Sequence, residues 1–325
     1  MKIQRLVFPD KGRCEVEEFE LDERLAPGEL LLKARASLVS AGTELAMFTR
    51  SHRGFDDPEN KYAKFPFRPG YAAVSDVIAS TGHIPSGSRV FTWSPHATFS
   101  KMKAAEAVLV PDELADDRAV FHSLCSISLT SPRLAPARLG EQIVVIGMGI
   151  VGNLAAQLYM ASGARLVAGA DLAEARLAKA RACGIPKTFC VGQKPLKQWV
   201  KDELGERGAE LVVEAIGSSR AIDDALKCVS DRGVVVLLGS PRTKMEIDPY
   251  YDIHVKGIAL IGAHGRNVDE AQRKRDNPML MEWLRSGRVQ VEPLITQRMH
   301  FSEALKAYEG LRDRTDEYLG VLLTY

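Results

Sequence analysis

The segment QIVVIGMGIVGNLAAQLYM, residues 142–160, constrains this chain more than any other. An unbroken apolar run enters three glycines spaced G-x-G-x-x-G, Gly147, Gly149 and Gly152, and passes directly into a helical pattern. In that context Gly147 permits a tight turn, Gly149 lets the backbone approach a pyrophosphate, and Gly152 lets helix and strand pack closely. The helix start at Ile150 and Val151 offers free N–H groups and the positive end of its dipole to phosphate. Asp171 ends the next apolar run, ARLVAGA. A carboxylate there accepts hydrogen bonds from ribose hydroxyls and repels a 2′-phosphate, so the expected cofactor is NAD rather than NADP. Arg176 and Arg181 follow on the next helical segment and read as solvated helix charges.

The rest of the chain organises around this turn. From residue 142, buried strands (IVVIGM, ARLVAGA, KTFCVG, AELVVEAI, GVVVLLG, GIALIGA) alternate with amphipathic helices, which predicts a doubly wound parallel α/β sheet covered on both faces. Residues 1–135 instead carry short strands broken by turns (ELLLKARASL, AAVSDVIAS, SRVFTWS), as in an antiparallel, partly closed β-domain. The expected division is 1–135, 136–290 and a return segment 291–325 that rejoins the first domain. A length of 325 residues suits two domains. The net charge of +1, with both signs interspersed, gives no field for a nucleic-acid backbone. No apolar run reaches the roughly 20 residues of a membrane helix, and the N-terminus lacks a signal-peptide pattern, so a cytoplasmic location is expected. Five scattered cysteines, with no C-x-x-C pair, argue against a disulfide framework or a zinc knot.

Further landmarks occur in order: Ala41-Gly42-Thr43-Glu44, Pro69-Gly70-Tyr71, Gly87-Ser88-Arg89-Val90, the glycine turn, then Gly239 and Gly262 at later strand ends. Together they resemble the medium-chain dehydrogenase/reductase superfamily, which includes zinc alcohol dehydrogenases and quinone reductases. The resemblance implies a GroES-like β-barrel domain interrupted by the nucleotide-binding domain. It also implies departures. Where zinc members carry a ligand cysteine this chain has Ala41, and where they carry G-H-E it has Gly70-Tyr71-Ala72. Cys125 near the third ligand position cannot alone hold a catalytic Zn²⁺, so no metal is expected. The S-x-G-T-E and P-G-Y segments are similar to a zinc-lacking branch with bacteriochlorophyllide-type hydroxyethyl dehydrogenases, which implies oxidation of a secondary hydroxyl.

Without a Lewis acid, hydrogen-bond donors and a general acid/base must manage the oxygen and its proton. The resemblance places Thr43 in a proton relay, Tyr71 at the vacated metal position with Glu44 behind it, and His96 of WSPHATF on the opposite wall. Trp93, Phe65 and Phe67 are candidates for an apolar substrate wall, and the long segment 52–70 for shaping it. Ala215, Gly239 and His264, at carboxyl ends of later strands, are candidates for cofactor contact. Three functions fit: an NAD-dependent dehydrogenase acting on a secondary hydroxyl of a polyol, sugar derivative or ring metabolite; an NAD(P)H-dependent quinone or enone reductase; and a non-catalytic NAD-binding scaffold. A homodimer through the edge strand GIALIGA is the expected assembly.

Overall fold

The structure, a computed structural model, describes residues 1–325. By internal packing the chain divides into two units: Met1–Ser123 with Asn277–Gly287 and Leu294–Tyr325, and Leu124–Asp276 with Arg288–Pro293.

The first unit begins with the hairpin β1 (Lys2–Val7) and β2 (Glu15–Glu20). The ten-residue strand β3 (Glu29–Leu38) is followed by a short helix α1 (Thr43–Phe48), then β4 (Ala73–Ser80), β5 (Arg89–Thr92), β6 (Phe99–Lys103) and β7 (Val108–Leu109). β3 is the spine of the sheet. It pairs with β4 along its length, and its start pairs with β6 on the other edge. Splitting one edge of a long strand between partners bends the sheet toward closure. A four-residue helix α2 (Asp116–Ala119) leads to α3 (His122–Leu134).

The division falls inside the start of α3, earlier than residue 135. The His122 ring lies 4.7 Å from that of Phe91, in the first unit. Farther along, Ser128 Oγ donates to the Val151 carbonyl at 2.9 Å, and Tyr159 donates to the Ala135 carbonyl at 3.0 Å, in the second.

The second unit contains β8 (Gln142–Ile146), α4 (Ile150–Ala161), β9 (Leu166–Asp171), α5 (Glu174–Ala182), β10 (Lys187–Cys190), α6 (Leu196–Leu204), β11 (Ala209–Glu214), α7 (Ser219–Cys228), β12 (Val229–Leu237) and β13 (Ala259–Gly262). Its six strands are all parallel, in the order β10-β9-β8-β11-β12-β13. Alternate residues of β8 face opposite helical layers. Ile143 and Val145 join a core with Tyr159 of α4 and Leu177 of α5, while Val144 and Ile146 join one with Trp199 of α6 and Ala225 of α7. Cover on both faces is why these strands are continuously apolar rather than alternating.

After helix α8 (Glu270–Ser286), the return segment supplies β14 (Ile295–His300), α9 (Ala304–Asp313) and β15 (Gly320–Thr324). β15 pairs antiparallel with the end of β3 and parallel with β14, so the segment completes the first unit's sheet. Its α9 and β15 share a core with α1 through Phe8, Met47, Phe48, Tyr308, Val321 and Leu323. Trp199, stacked on Phe189 at 4.9 Å, anchors α6 to the edge of the parallel sheet. Trp199→Ala should cost about 3–5 kcal/mol, against under about 0.5 kcal/mol for Leu139→Ala at an exposed site. Urea unfolding of the two variants measures both.

Candidate functional site

In the second unit the glycine turn lies between β8 and α4, at the point where the strand order reverses from β9 to β11, the place where open α/β sheets bind ligands. Gly147 has φ +98° and its N–H donates to the Ala170 carbonyl at 2.7 Å. A Cβ on Gly152 would lie 1.8 Å from the Gly147 carbonyl oxygen, so no side chain fits there. A Cβ on Gly149, by contrast, would meet nothing within 4 Å. Two glycines are therefore held by packing and the third faces open space at the N-terminus of a twelve-residue helix. The turn fits a pyrophosphate.

Around it, Ala215 directly follows β11 and donates its N–H to the Ile146 carbonyl at 2.9 Å. Gly239, just past β12, lies so close to the backbone of Ile216 and Gly217 that a Cβ would approach Gly217 N to 2.4 Å. His264 beyond β13 is exposed and caps a short turn, its Nδ1 accepting from Arg266 N–H at 3.1 Å. Asp171 is buried at the end of β9. One oxygen accepts from Met148 N–H at 2.7 Å, the other from Ala173 N–H at 2.9 Å. Arg176 is not the solvated charge expected from sequence: its Nη1 lies 3.7 Å from Asp171. One helical turn into α5 returns its side chain to the carboxylate.

In the first unit, Ser40 precedes α1 and Tyr71 precedes β4. The Tyr71 phenol donates to Ser40 Oγ and is within hydrogen-bond reach of the Thr43 side chain, while Thr43 N–H donates to Ser40 Oγ at 3.3 Å. Burial, reinforced by the neighbouring Glu44, pushes the Tyr71 phenol above its ordinary range, so it stays protonated. Glu44 and His96 are both buried and directly bonded: Nε2 of His96 lies 3.0 Å from Glu44 Oε2. This corrects the expected placement of His96 on an opposite wall. The same Glu44 oxygen accepts from the Tyr308 phenol of α9 at 2.7 Å. His96 Nδ1 lies 2.7 Å from Ser37 Oγ, and Ser37 Oγ lies 2.8 Å from the Tyr325 phenol.

The aromatic candidates do not form one wall. Phe67 packs against Phe8 at 6.0 Å and Tyr62 at 5.4 Å, and Phe65 against Phe55 at 4.9 Å. Trp93 belongs to a different group, 5.0 Å from Phe91 and 5.8 Å from His122. The cause is strand geometry: Phe65 and Phe67 lie in the loop bridged to Phe8, whereas Trp93 follows β5.

The family described as zinc-binding dehydrogenase matches residues 151–285. L-threonine 3-dehydrogenase of Bacillus licheniformis is 32% identical over 217 residues, 66% of this chain and 61% of that protein. The chain thus matches about three fifths of the length of that relative. The crystal structure of galactitol-1-phosphate dehydrogenase from Escherichia coli superposes with a TM-score of 0.86 at 18% identity, covering 99% of this chain and 100% of that one. The chain is thus similar in sequence to zinc-binding dehydrogenases over residues 151–285 and shares the fold of alcohol and polyol dehydrogenases along its whole length. A Sinorhizobium meliloti dehydrogenase bound to NADP shares the fold, with a TM-score of 0.84 at 17% identity over 100% of both chains.

A catalytic zinc site needs about three protein ligands. The residues here do not fit it. No group of three His, Cys, Asp or Glu is placed to hold a metal ion. Ala41 has no donor, and Cys125 is a buried thiol whose ionisation is suppressed by burial.

Ser37, Tyr308 and Tyr325 escaped sequence reading, since none stands in a recognisable motif. Ser40 stood inside the S-x-G-T-E segment without being singled out. Nothing in the sequence marked His122 as more than packing, yet it is fully buried and neither ring nitrogen has a well-formed hydrogen bond. Burial lowers its pKa to about 4, a shift that the backbone of Asn277 only partly offsets.

Two outcomes follow from these environments. The folded pKa of His122 is below its ordinary value of 6.5, so the unfolded chain binds the extra proton first as pH falls. Its contribution is present above pH 6.5 and is lost as pH drops toward 4, by about 3 kcal/mol. Denaturant unfolding at several pH values should show that component vanish in His122→Leu. Gly149→Ala should keep the unfolding midpoint but weaken NAD⁺ binding, whereas Gly152→Ala should lower stability by about 1–3 kcal/mol. Equal NAD⁺ affinity in Gly149→Ala and the parent would contradict the pyrophosphate assignment.

Proposed function

We propose that this chain is a zinc-independent, NAD-dependent oxidoreductase. It interconverts a secondary alcohol and its ketone on a polyol, a sugar derivative or a larger ring metabolite. The observation that carries the reading is the open Gly149 between two close-packed glycines at a helix start. Gly147, Gly149, Ile150, Val151 and Gly152 hold the pyrophosphate, Asp171 the adenosine ribose, and Ala215, Gly239 and His264 the remainder of the dinucleotide. When bound, the nicotinamide supplies the hydride acceptor or donor.

The protein's own residues manage the oxygen and its proton. Tyr71 remains protonated at neutral pH; with substrate bound its phenol proton turns from Ser40 Oγ to a carbonyl oxygen, and the Ser40 and Thr43 hydroxyls hold the phenol in place. In the direction of alcohol oxidation, the Glu44 carboxylate takes up the released proton. Trp93, Phe65 and Phe67 present apolar surface to the substrate from two places. With no protein groups arranged for zinc, hydrogen bonding from these hydroxyls stabilises the developing negative charge. The assembly that suits this reading is a homodimer through β13, the edge strand of the parallel sheet. No helix is long and apolar enough to cross a membrane.

A second reading is favoured by Arg176. A guanidinium 3.7 Å from Asp171 is placed to meet a 2′-phosphate, which suits NADPH and reduction of a quinone or an activated double bond. Titration with both cofactors separates the readings. The first expects NAD⁺ to bind more tightly, and Asp171→Ser to narrow that preference; an NADP⁺ preference that disappears in Arg176→Ala supports the second. Tyr71→Phe should lower turnover of a secondary alcohol by roughly 10²–10⁴-fold with NAD⁺ affinity intact. Full turnover in that variant removes Tyr71 from the chemistry.

A further inference from the structure

Beyond the hydroxyl cluster at Tyr71, the first unit buries a chain of polar side chains with an order of its own. Glu44, His96, Ser37 and Tyr308 are each at most 1% exposed, while Tyr325 is partly exposed. They come from five separate places: α1, the loop before β6, β3, α9 and the residue after β15. Hydrogen-bond chemistry fixes the direction of the bonds. Burial pushes both the Tyr325 and Tyr308 phenols upward, so both are protonated donors. The Tyr308 phenol gives its proton to Glu44 Oε2. A carboxylate accepts only, so His96 Nε2, which faces it, carries the hydrogen. In the neutral ring Nδ1 is then the acceptor, taking the Ser37 hydroxyl proton, which leaves Ser37 Oγ to accept from Tyr325. Every proton in the chain points toward Glu44.

The far oxygen, Glu44 Oε1, is buried with no hydrogen-bond partner. A bare carboxylate oxygen in the interior is costly, and a proton on the carboxyl group relieves that cost. The other titratable groups that feel Glu44 are Cys14, pushed up to about 12 by burial and then by Glu44, and the Tyr62 and Tyr71 phenols, raised for the same reasons. All three stay protonated near neutral pH. None competes as the base.

We propose that Tyr325, Ser37 and His96 form a proton wire that loads and unloads the buried Glu44 carboxyl group from the partly exposed Tyr325 side. The proposal rests on the oxidoreductase reading for its purpose, supply of the proton that ketone reduction consumes. The step balances without a further reactant. On loading, the Tyr325 O–H proton passes to Ser37, the Ser37 proton to His96 Nδ1, and the Nε2 proton to Glu44, and water returns a proton to Tyr325. Unloading reverses each transfer. Tyr308 is a positioning residue that fixes the receiving oxygen.

The test uses the full chain with ¹⁵N-labelled histidine and needs neither cofactor nor substrate. At neutral pH, NMR should find His96 as the Nε2–H tautomer, and its buried Nε2 proton should exchange with water despite complete burial. Tyr325→Phe and Ser37→Ala each remove one link without removing a charge. Each should slow that exchange by about tenfold or more in protein that thermal melting shows to be folded at the temperature of the measurement. An Nδ1–H tautomer, or exchange as fast or faster in both folded variants, overturns the wire. Failure of NAD⁺ to bind would sink the oxidoreductase reading by itself, and leaves this measurement unaffected.

Discussion

The first unit is organised around a carboxyl group that has been taken out of water. Glu44 is 1% exposed, and burying such a group without partners is among the most costly things a fold can do. Its Oε2 is met by His96 and Tyr308, so the loop before β6 and the return helix α9 are tied to the same atom as α1. Ser37 and Tyr325 extend the connection to β3 and the end of β15. Removing any one partner strands another polar group in the interior, which makes the network cooperative. The return segment, last in sequence, is thereby held to the first elements of the chain.

The second unit depends on a different constraint, the closeness of backbone to backbone at the carboxyl ends of its strands. Gly147 and Gly152 touch each other, and Gly239 touches the backbone of Ile216 and Gly217. These contacts leave no room for side chains and draw the loops after β8, β11 and β12 together. Gly149 stands free among them. The packing that stabilises this end of the sheet also leaves space where a phosphate can reach a helix N-terminus.

Much of this was legible in the chain itself. The parallel sheet announced itself because strands covered on both faces are continuously apolar, and the glycine turn because its three positions have separate steric tasks. The return segment's place in the first sheet was also visible in its short strands. What the sequence did not carry was pairing between distant side chains. Glu44 and His96 are 52 residues apart and Glu44 and Tyr308 264 apart, and no local pattern encodes such a contact. Arg176 was misjudged because an exposed helix charge and one folded back on Asp171 share the same spacing. Phe65, Phe67 and Trp93 looked alike as isolated aromatics, and only the strand and loop that carry them separate the two groups.

Similarity to a family described as zinc-binding dehydrogenase, combined with a donor set that does not suit zinc, makes the metal question central. In the function proposed above, the hydroxyls at Tyr71, Ser40 and Thr43 and the carboxyl group of Glu44 handle the reacting oxygen. The most direct test is metal analysis of purified protein alongside its rate of NAD⁺ reduction on a panel of secondary alcohols, before and after a chelator. The account predicts well under one equivalent of zinc and turnover that survives the chelator. One tightly held equivalent, lost together with activity and restored with it, would contradict the account.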